Sequence, residues 1–257
     1  MYIDVHCHLN ERDYQSVDDL VALCQERGIK KIIAVGYDVA SSTQAKEYAE
    51  KYDCVYFTAG LHPTEKSSFY DGCMDDIKSL IAHPKCVAVG EIGLDYHYPD
   101  TDKAFQHAIF LEQLKMANDC GLPVQIHSRD CTEDMLNFLK EHQNLLGCGA
   151  LLHCYSHSPE IARELEKLGV YFSFGGTCTY KGSKRAKKSI KAISLNRLLT
   201  ETDSPYLPPR SKMGEFPNTP LSIPEIASEM ASLKEMEEGD FVSAVWQNAH
   251  TLFKKLT

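Results

Sequence analysis

Tyr2-Ile-Asp-Val-His-Cys-His8 is a short β-branched run that ends in two imidazoles, two residues apart. Residues two apart on a strand project to one face, so His6 and His8 share a face and Cys7 points the other way. Asp4 lies on the same face one step deeper, where its carboxylate is placed to take a ligand N–H and fix the tautomer. A helical pattern over Val17–Arg27 follows, with Ser16 as its candidate N-cap and Gly28 as its closing glycine. This strand-then-helix unit recurs along the chain. Seven more apolar runs read as strands: Lys31–Gly36, Val55–Gly60, Val87–Ile92, Val124–His127, Ala150–His153, Tyr171–Gly175 and Leu198–Glu201. Helical patterns fall between them, among them Lys103–Cys120, Thr132–His142, Pro159–Leu168 and Lys184–Ile193, and Ser222–Leu256 supplies two more. Strands separated by helices pair in parallel through right-handed crossovers. Eight such units in roughly 250 residues predict an α/β fold, a (β/α)₈ TIM barrel occupying residues 1–257 as a single domain. An open doubly wound sheet is the alternative arrangement of the same elements.

Composition narrows the function classes. The 257 residues carry 27 Lys and Arg against 36 Asp and Glu, a net charge of −9, and 43% are hydrophobic. That balance suits an ordinary globular protein and argues against broad, non-specific nucleic-acid binding, which runs on counterion release from many cations. The charge-free stretch Gln143–Pro159 is interrupted by glycines, histidines and serines and falls short of the ~20 apolar residues of a membrane span. The opening residues lack the basic and apolar regions of a secretory signal, which places the chain in the cytoplasm. The ten cysteines form no C-x-x-C pair and read as buried thiols.

The strand ends carry the chemistry. His6 and His8 close the first run, His62 follows the third, Glu91 ends the fourth, His127 the fifth, His153 the sixth, and Asp203 follows the eighth. A barrel brings these ends to one face. Imidazole and carboxylate are ligands of borderline divalent ions, and so many of them exceed the needs of one tetrahedral ion. A dinuclear site is the economical reading, with Glu91 as the bridge and Mg, Mn or Zn as candidate ions. No G-x-S-x-G elbow, phosphate-binding G-x-x-x-x-G-K-[ST] loop or H-E-x-x-H helix is present. Gly147-Cys-Gly149 lacks the third glycine of a dinucleotide fingerprint.

Taken together, several blocks resemble the TatD family of metal-dependent deoxyribonucleases, in the family's order and over nearly the whole chain. They are Asp4-x-His6-x-His8, Gly60-Leu-His62-Pro63, Gly90-Glu91-Ile-Gly93-Leu-Asp95-Tyr96, Ile126-His127-Ser-Arg129, His153-Cys-Tyr-Ser156, Thr179-Tyr180-Lys181, Glu201-Thr-Asp203-Ser-Pro205-Tyr and Pro217-Asn-x-Pro220. The resemblance implies a TIM barrel of the amidohydrolase superfamily, divalent-metal dependence and exonuclease or other phosphodiesterase activity on DNA. It also implies a metal set of His6, His8, Glu91, His127, His153 and Asp203, with His62 beside the phosphate. The family pattern closes the block after His153 with glycine, where this chain has His157.

The expected reaction is hydrolysis of single-stranded or frayed DNA by metal-activated water, with Asp203 as general base and Glu91 and His62 completing the catalytic set. Arg129 is placed to grip the scissile phosphate bidentately. The acid-free run Lys181, Lys184, Arg185, Lys187, Lys188 and Lys191 would hold phosphates on the same rim, unless it is a solvated helix face. Tyr155, Tyr180 and Tyr206 are candidate base-stacking rings or rim packing. DNA is the expected partner, with RNA as an alternative, and neither a membrane nor an obligate protein partner is expected. Hydrolysis of a small-molecule ester, lactone or amide, or deacylation of aminoacyl-tRNA, would use the same ions.

Overall fold

The computed structural model describes residues 1–9 and 14–257. Its strands are β1 (Tyr2–Cys7), β2 (Ile29–Val35), β3 (Val55–Ala59), β4 (Cys86–Asp95), β5 (Val124–Arg129), β6 (Ala150–Leu152), β7 (Val170–Phe174) and β8 (Leu198–Thr200). They pair in parallel in sequence order from β1 to β8, the order of a barrel rather than of a doubly wound sheet. Between them run α1 (Val17–Glu26), α2 (Val39–Lys51), α3 (Cys73–Ile81), α4 (Lys103–Cys120), α5 (Thr132–Glu141), α6 (Pro159–Glu166) and α7 (Lys184–Ala192), and α8 (Ile223–Leu233) and α9 (Glu238–Leu252) follow.

Local chemistry places the helix ends. Ser16 accepts from the Asp19 N–H, and Gly28 at φ 84° turns the chain out of α1, a left-handed conformation that costs glycine little. Asp38 and Ser41 cap α2 reciprocally. Helices cover the outside of the strands, which are therefore apolar on both faces, and all ten residues of β4 are buried.

The seam between β1 and β8 is closed by the last residue of β8 and by the residues that follow it. The Thr200 hydroxyl donates to the Ile3 carbonyl (2.9 Å), the Asp203 N–H to the His6 carbonyl (3.0 Å) and the His8 N–H to the Ser204 carbonyl (2.7 Å). Asp4 belongs to this seam. Its carboxylate accepts from the N–H groups of His6 (3.2 Å) and Thr202 (3.0 Å) and from the Thr202 hydroxyl (2.5 Å). The expectation that Asp4 orients an imidazole is thus corrected, because its oxygens are taken by backbone and hydroxyl donors that tie the first strand to the last.

Two strands run longer than their sequence pattern suggests. The β4 run continues past Ile92 to Asp95, although Gly90, Glu91 and Gly93 interrupt its β-branched pattern. Between Val89 and Ile92 it advances three residues while β5 advances two, from Val124 to Ile126, so a bulge lies at Gly90–Glu91. The β5 strand extends to Arg129, which pairs with Asp95.

Candidate metal centre

The bulge at Gly90–Glu91 re-aims one carboxylate into the mouth of the barrel, where the Glu91 N–H is held by the Gly36 carbonyl at 2.8 Å. Its two oxygens face different neighbours. Oε2 lies 3.6 Å from His6 Nε2 and 3.7 Å from His8 Nε2, and Asp203 Oδ1 is 3.7 and 3.5 Å from the same nitrogens. Oε1 lies 2.9 Å from His127 Nδ1, 2.9 Å from His153 Nε2 and 3.3 Å from His62 Nε2. One carboxylate therefore stands between two nests of ligand atoms.

The residues behind each ring decide which nitrogen offers a lone pair. Gln125 donates its amide to the Val5 carbonyl (2.9 Å), which leaves Oε1 to accept from His6 Nδ1 (2.9 Å) and turns the His6 Nε2 lone pair inward. The Val35 carbonyl does the same for His8 at 3.2 Å. For His127 the order is reversed, since Asp95 Oδ2 takes Nε2 at 2.9 Å and Nδ1 faces Glu91. His62 differs from all three. The Thr64 N–H donates to its Nδ1 (3.2 Å), so its inward Nε2 carries the proton. His62 is therefore built as a hydrogen-bond donor and not as a ligand.

Divalent ions fit these groups. Ligands about 2.1 Å from an ion stand about 3.4 Å apart in tetrahedral and about 3.0 Å apart in octahedral geometry, matching the spacings around both Glu91 oxygens. His6 Nε2 is buried with no hydrogen-bond partner, an orphaned lone pair of the kind an ion satisfies. His6, His8 and Asp203 form one group with ligand spacing, and His127 Nδ1 and His153 Nε2 gather at Glu91 Oε1 on the other side.

Electrostatics keep the carboxylates charged. Burial works to raise Glu91, but His153, His62 and His127 overcome it and hold its pKa well below the usual range. Burial likewise opposes the His8 and His153 neighbours that hold Asp203 down. His8 and His127 resist burial through their carboxylate partners and stand at about 9. Burial, with His6 beside it, lowers His153 to about 4.

The remaining sequence candidates separate. Arg129 is exposed and lines two adjoining clefts of about 600 and 520 Å³, which share His127, His153, Asp203 and Tyr206. Tyr155 is a core residue, 3% exposed, packed edge-on against Phe172 and Phe174, and it reaches only the wall of the larger cleft. Tyr180 is half-buried, with its hydroxyl bonded to the Pro208 carbonyl (2.7 Å). Lys181 is exposed and lines neither cleft. Tyr206, 46% exposed, is the rim tyrosine that presents its ring to both. The basic run also divides, because Arg185 lines the larger cleft whereas Lys187 is paired with Glu229 at 2.6 Å. Gln125 was invisible as a functional residue in the sequence, and Asp95 and Glu201 appeared only inside motifs. Glu201 accepts from the Cys154 N–H (2.6 Å) and the Ser173 hydroxyl (2.5 Å) beneath His153.

Residues 3–254 match the family described as TatD related DNase. The chain belongs to the TatD family. Among relatives of this TatD chain, the uncharacterized metal-dependent hydrolase YabD of Bacillus subtilis (strain 168) is 38% identical over 255 residues, covering 99% of each chain. The 3'-5' ssDNA/RNA exonuclease TatD of Escherichia coli (strain K12) is 30% identical over 240 residues, covering 92% of each. The solved structure of YJJV, a TatD homologue from Escherichia coli K12, superposes with a TM-score of 0.92 at 30% identity and 98% coverage of both chains. The TatD chain is thus a metal-dependent hydrolase with His, Glu and Asp clusters able to bind metal. Among its described residues no helix is long and apolar enough to cross a membrane.

A Cβ on Gly93 would sit 2.1 Å from the His127 carbonyl oxygen, at a φ of 143°. Gly93→Ala is therefore expected to cost roughly 1–3 kcal/mol in urea unfolding and to weaken metal binding by displacing His127. Unchanged stability would mean that the β4–β5 spacing yields freely. Burial and the nearby Arg185 push His157, 6% exposed, from 6.5 down to about 4. Its folded form is the neutral one, so as pH falls from about 6.5 towards 4 the unfolded chain gains a proton that the folded chain refuses, a loss of up to about 3 kcal/mol. His157→Asn removes this loss. The stability gap between wild type and His157→Asn should narrow between about pH 7 and about pH 4.5, and a constant gap would contradict the assignment.

Proposed function

We propose that the chain hydrolyses phosphodiester bonds at an end of single-stranded or frayed DNA, with RNA as a secondary substrate, using two divalent ions shared through Glu91. The carrying observation is the division of the Glu91 oxygens between His6, His8 and Asp203 on one side and His127 and His153 on the other. The resemblance to the exonuclease TatD of Escherichia coli supports the nucleic-acid substrate. The adjoining clefts offer a track through the site for a single strand, with Arg129 and Tyr206 lining both.

His6, His8, Glu91, His127, His153 and Asp203 would hold the ions, which supply charge neutralisation and acidify the attacking water. The chain's own groups do the rest. Arg129 grips the phosphate through its guanidinium fork. His62 donates Nε2–H to a phosphoryl oxygen, a role its Thr64 partner prepares. Asp203, kept ionised by its imidazole neighbours, takes the proton from the attacking water. Tyr206 offers a ring for base stacking. Tyr155, Tyr180 and Lys181 support the rim rather than touch the reacting phosphate. We read residues 1–257 as one barrel unit working in the cytoplasm, in keeping with ten unbridged cysteines.

The test compares labelled single-stranded DNA, RNA, bis-p-nitrophenyl phosphate, a lactone and an aminoacyl-tRNA before and after exhaustive chelation. Diester hydrolysis that disappears on chelation and returns with Mg, Mn or Zn is the expected result. Preferred hydrolysis of the lactone or of the aminoacyl ester would replace this reading. Full activity after chelation would end it.

A further inference from the structure

His157 follows the block His153-Cys-Tyr-Ser156, and its ring is fully engaged. Nε2 is 2.9 Å from the Ser128 hydroxyl and Nδ1 is 2.7 Å from the Thr132 hydroxyl. Ser128 follows the candidate ligand His127, and Thr132 opens α5. A single imidazole thus ties both ends of the turn Arg129-Asp130-Cys131, the middle residue of which holds a left-handed φ of 54°. The His157 carbonyl also accepts from the Ser189 hydroxyl of α7 at 2.9 Å, joining the turn to the helix that carries Arg185.

The turn is held from two sides. Towards β4, the Tyr96 N–H donates to the Arg129 carbonyl (2.9 Å), Cys131 Sγ to the Leu94 carbonyl (3.3 Å), and His97 pairs with Asp130 at 2.9 Å. Towards β6, among the described residues, the holding bonds are those of His157. Without the imidazole that side would be open, and the turn would be drawn only towards β4. Imidazole is suited to the task because it is rigid and bonds at two opposite corners, so it fixes a distance and not merely a contact.

We propose that His157 is a positioning residue that clamps the 128–132 turn and so sets Arg129 at the junction of the two clefts. The clamp rests on the hydrogen bonds alone. Its effect on turnover rests on the phosphodiesterase reading, in which Arg129 holds the phosphate.

The test is a four-protein cycle of wild type, His157→Ala, Arg129→Ala and the double variant. On a single-stranded oligonucleotide, His157→Ala should lower kcat/KM roughly tenfold in the wild-type background and by less than about twofold once Arg129 is absent. Equal losses in both backgrounds would overturn the proposal, because general loosening of the fold acts whether or not Arg129 is there. Hydrogen exchange provides a readout independent of any substrate. Amides 128–132 should exchange faster in His157→Ala while those of β1 and β8 keep wild-type rates. Unchanged exchange at 128–132 would overturn the clamp, even in an enzyme that cleaves DNA. Conversely, failure of wild type to cleave any diester would count against the functional reading and leave the exchange result to judge the clamp. Should His157→Ala fail to fold, Ser128→Ala combined with Thr132→Val removes both hydroxyl partners and is expected to give the same local exchange.

Discussion

Asp203→Asn is expected to lower kcat on a single-stranded DNA substrate by roughly 10²–10⁴-fold, the range of a lost general base, with the fold retained. The substitution keeps the size of the side chain and a residue type that tolerates the left-handed backbone found at Asp203, where φ is 52°. The seam bond from the Asp203 N–H to the His6 carbonyl belongs to the backbone and survives. What disappears is a negative charge 3.5–3.7 Å from His8 and His6 Nε2, and with it the basicity needed to accept a proton. Steady-state kinetics at saturating metal, with thermal unfolding alongside, checks the result. Turnover near the wild-type rate would show that another group takes the proton, and His62 is no substitute because its inward nitrogen already carries one.

Glu91→Gln is expected to have the larger effect on metal content. The wild-type carboxylate offers an anionic oxygen to each side, whereas the amide offers one neutral oxygen and, on the other side, an N–H₂ that has no lone pair for an ion. Losing residues that merely support metal ligands costs 10–100-fold in affinity, so removal of a shared ligand should exceed about 100-fold. If two ions are shared as proposed, metal analysis after dialysis should find the ratio of ion to protein reduced from two to one or fewer, with turnover lost in parallel. A variant that retains two ions would remove Glu91 from the bridging role. The buried imidazoles would also lose their main counter-charge, and the metal-free variant should unfold at a lower temperature than metal-free wild type.

The barrel, and which imidazoles and carboxylates meet at its rim, were legible from local pattern. Strand period, helix caps and closing glycines are properties of neighbouring residues. In a barrel the residue that ends each strand necessarily arrives at a common rim, so His6, His8, His127 and His153 could be placed together without coordinates. Glu91 was legible as a strand-end acid, but the division of its oxygens was not, because it depends on a bulge defined by the register between β4 and β5. Ring orientation lay further still from the sequence. The tie from His6 to Gln125 spans 119 residues, and nothing near either residue announces the other. Asp4 looked like a partner for an imidazole because it shares a strand face with His6, yet closure of the barrel brings Thr202 to it, 198 residues away, and backbone donors claim its oxygens. Local sequence thus determined which side chains reach the rim. Closure of the chain on itself decided which atom of each one points inward, since hydrogen bonds between residues far apart in sequence select the tautomer, the bulge and the turn.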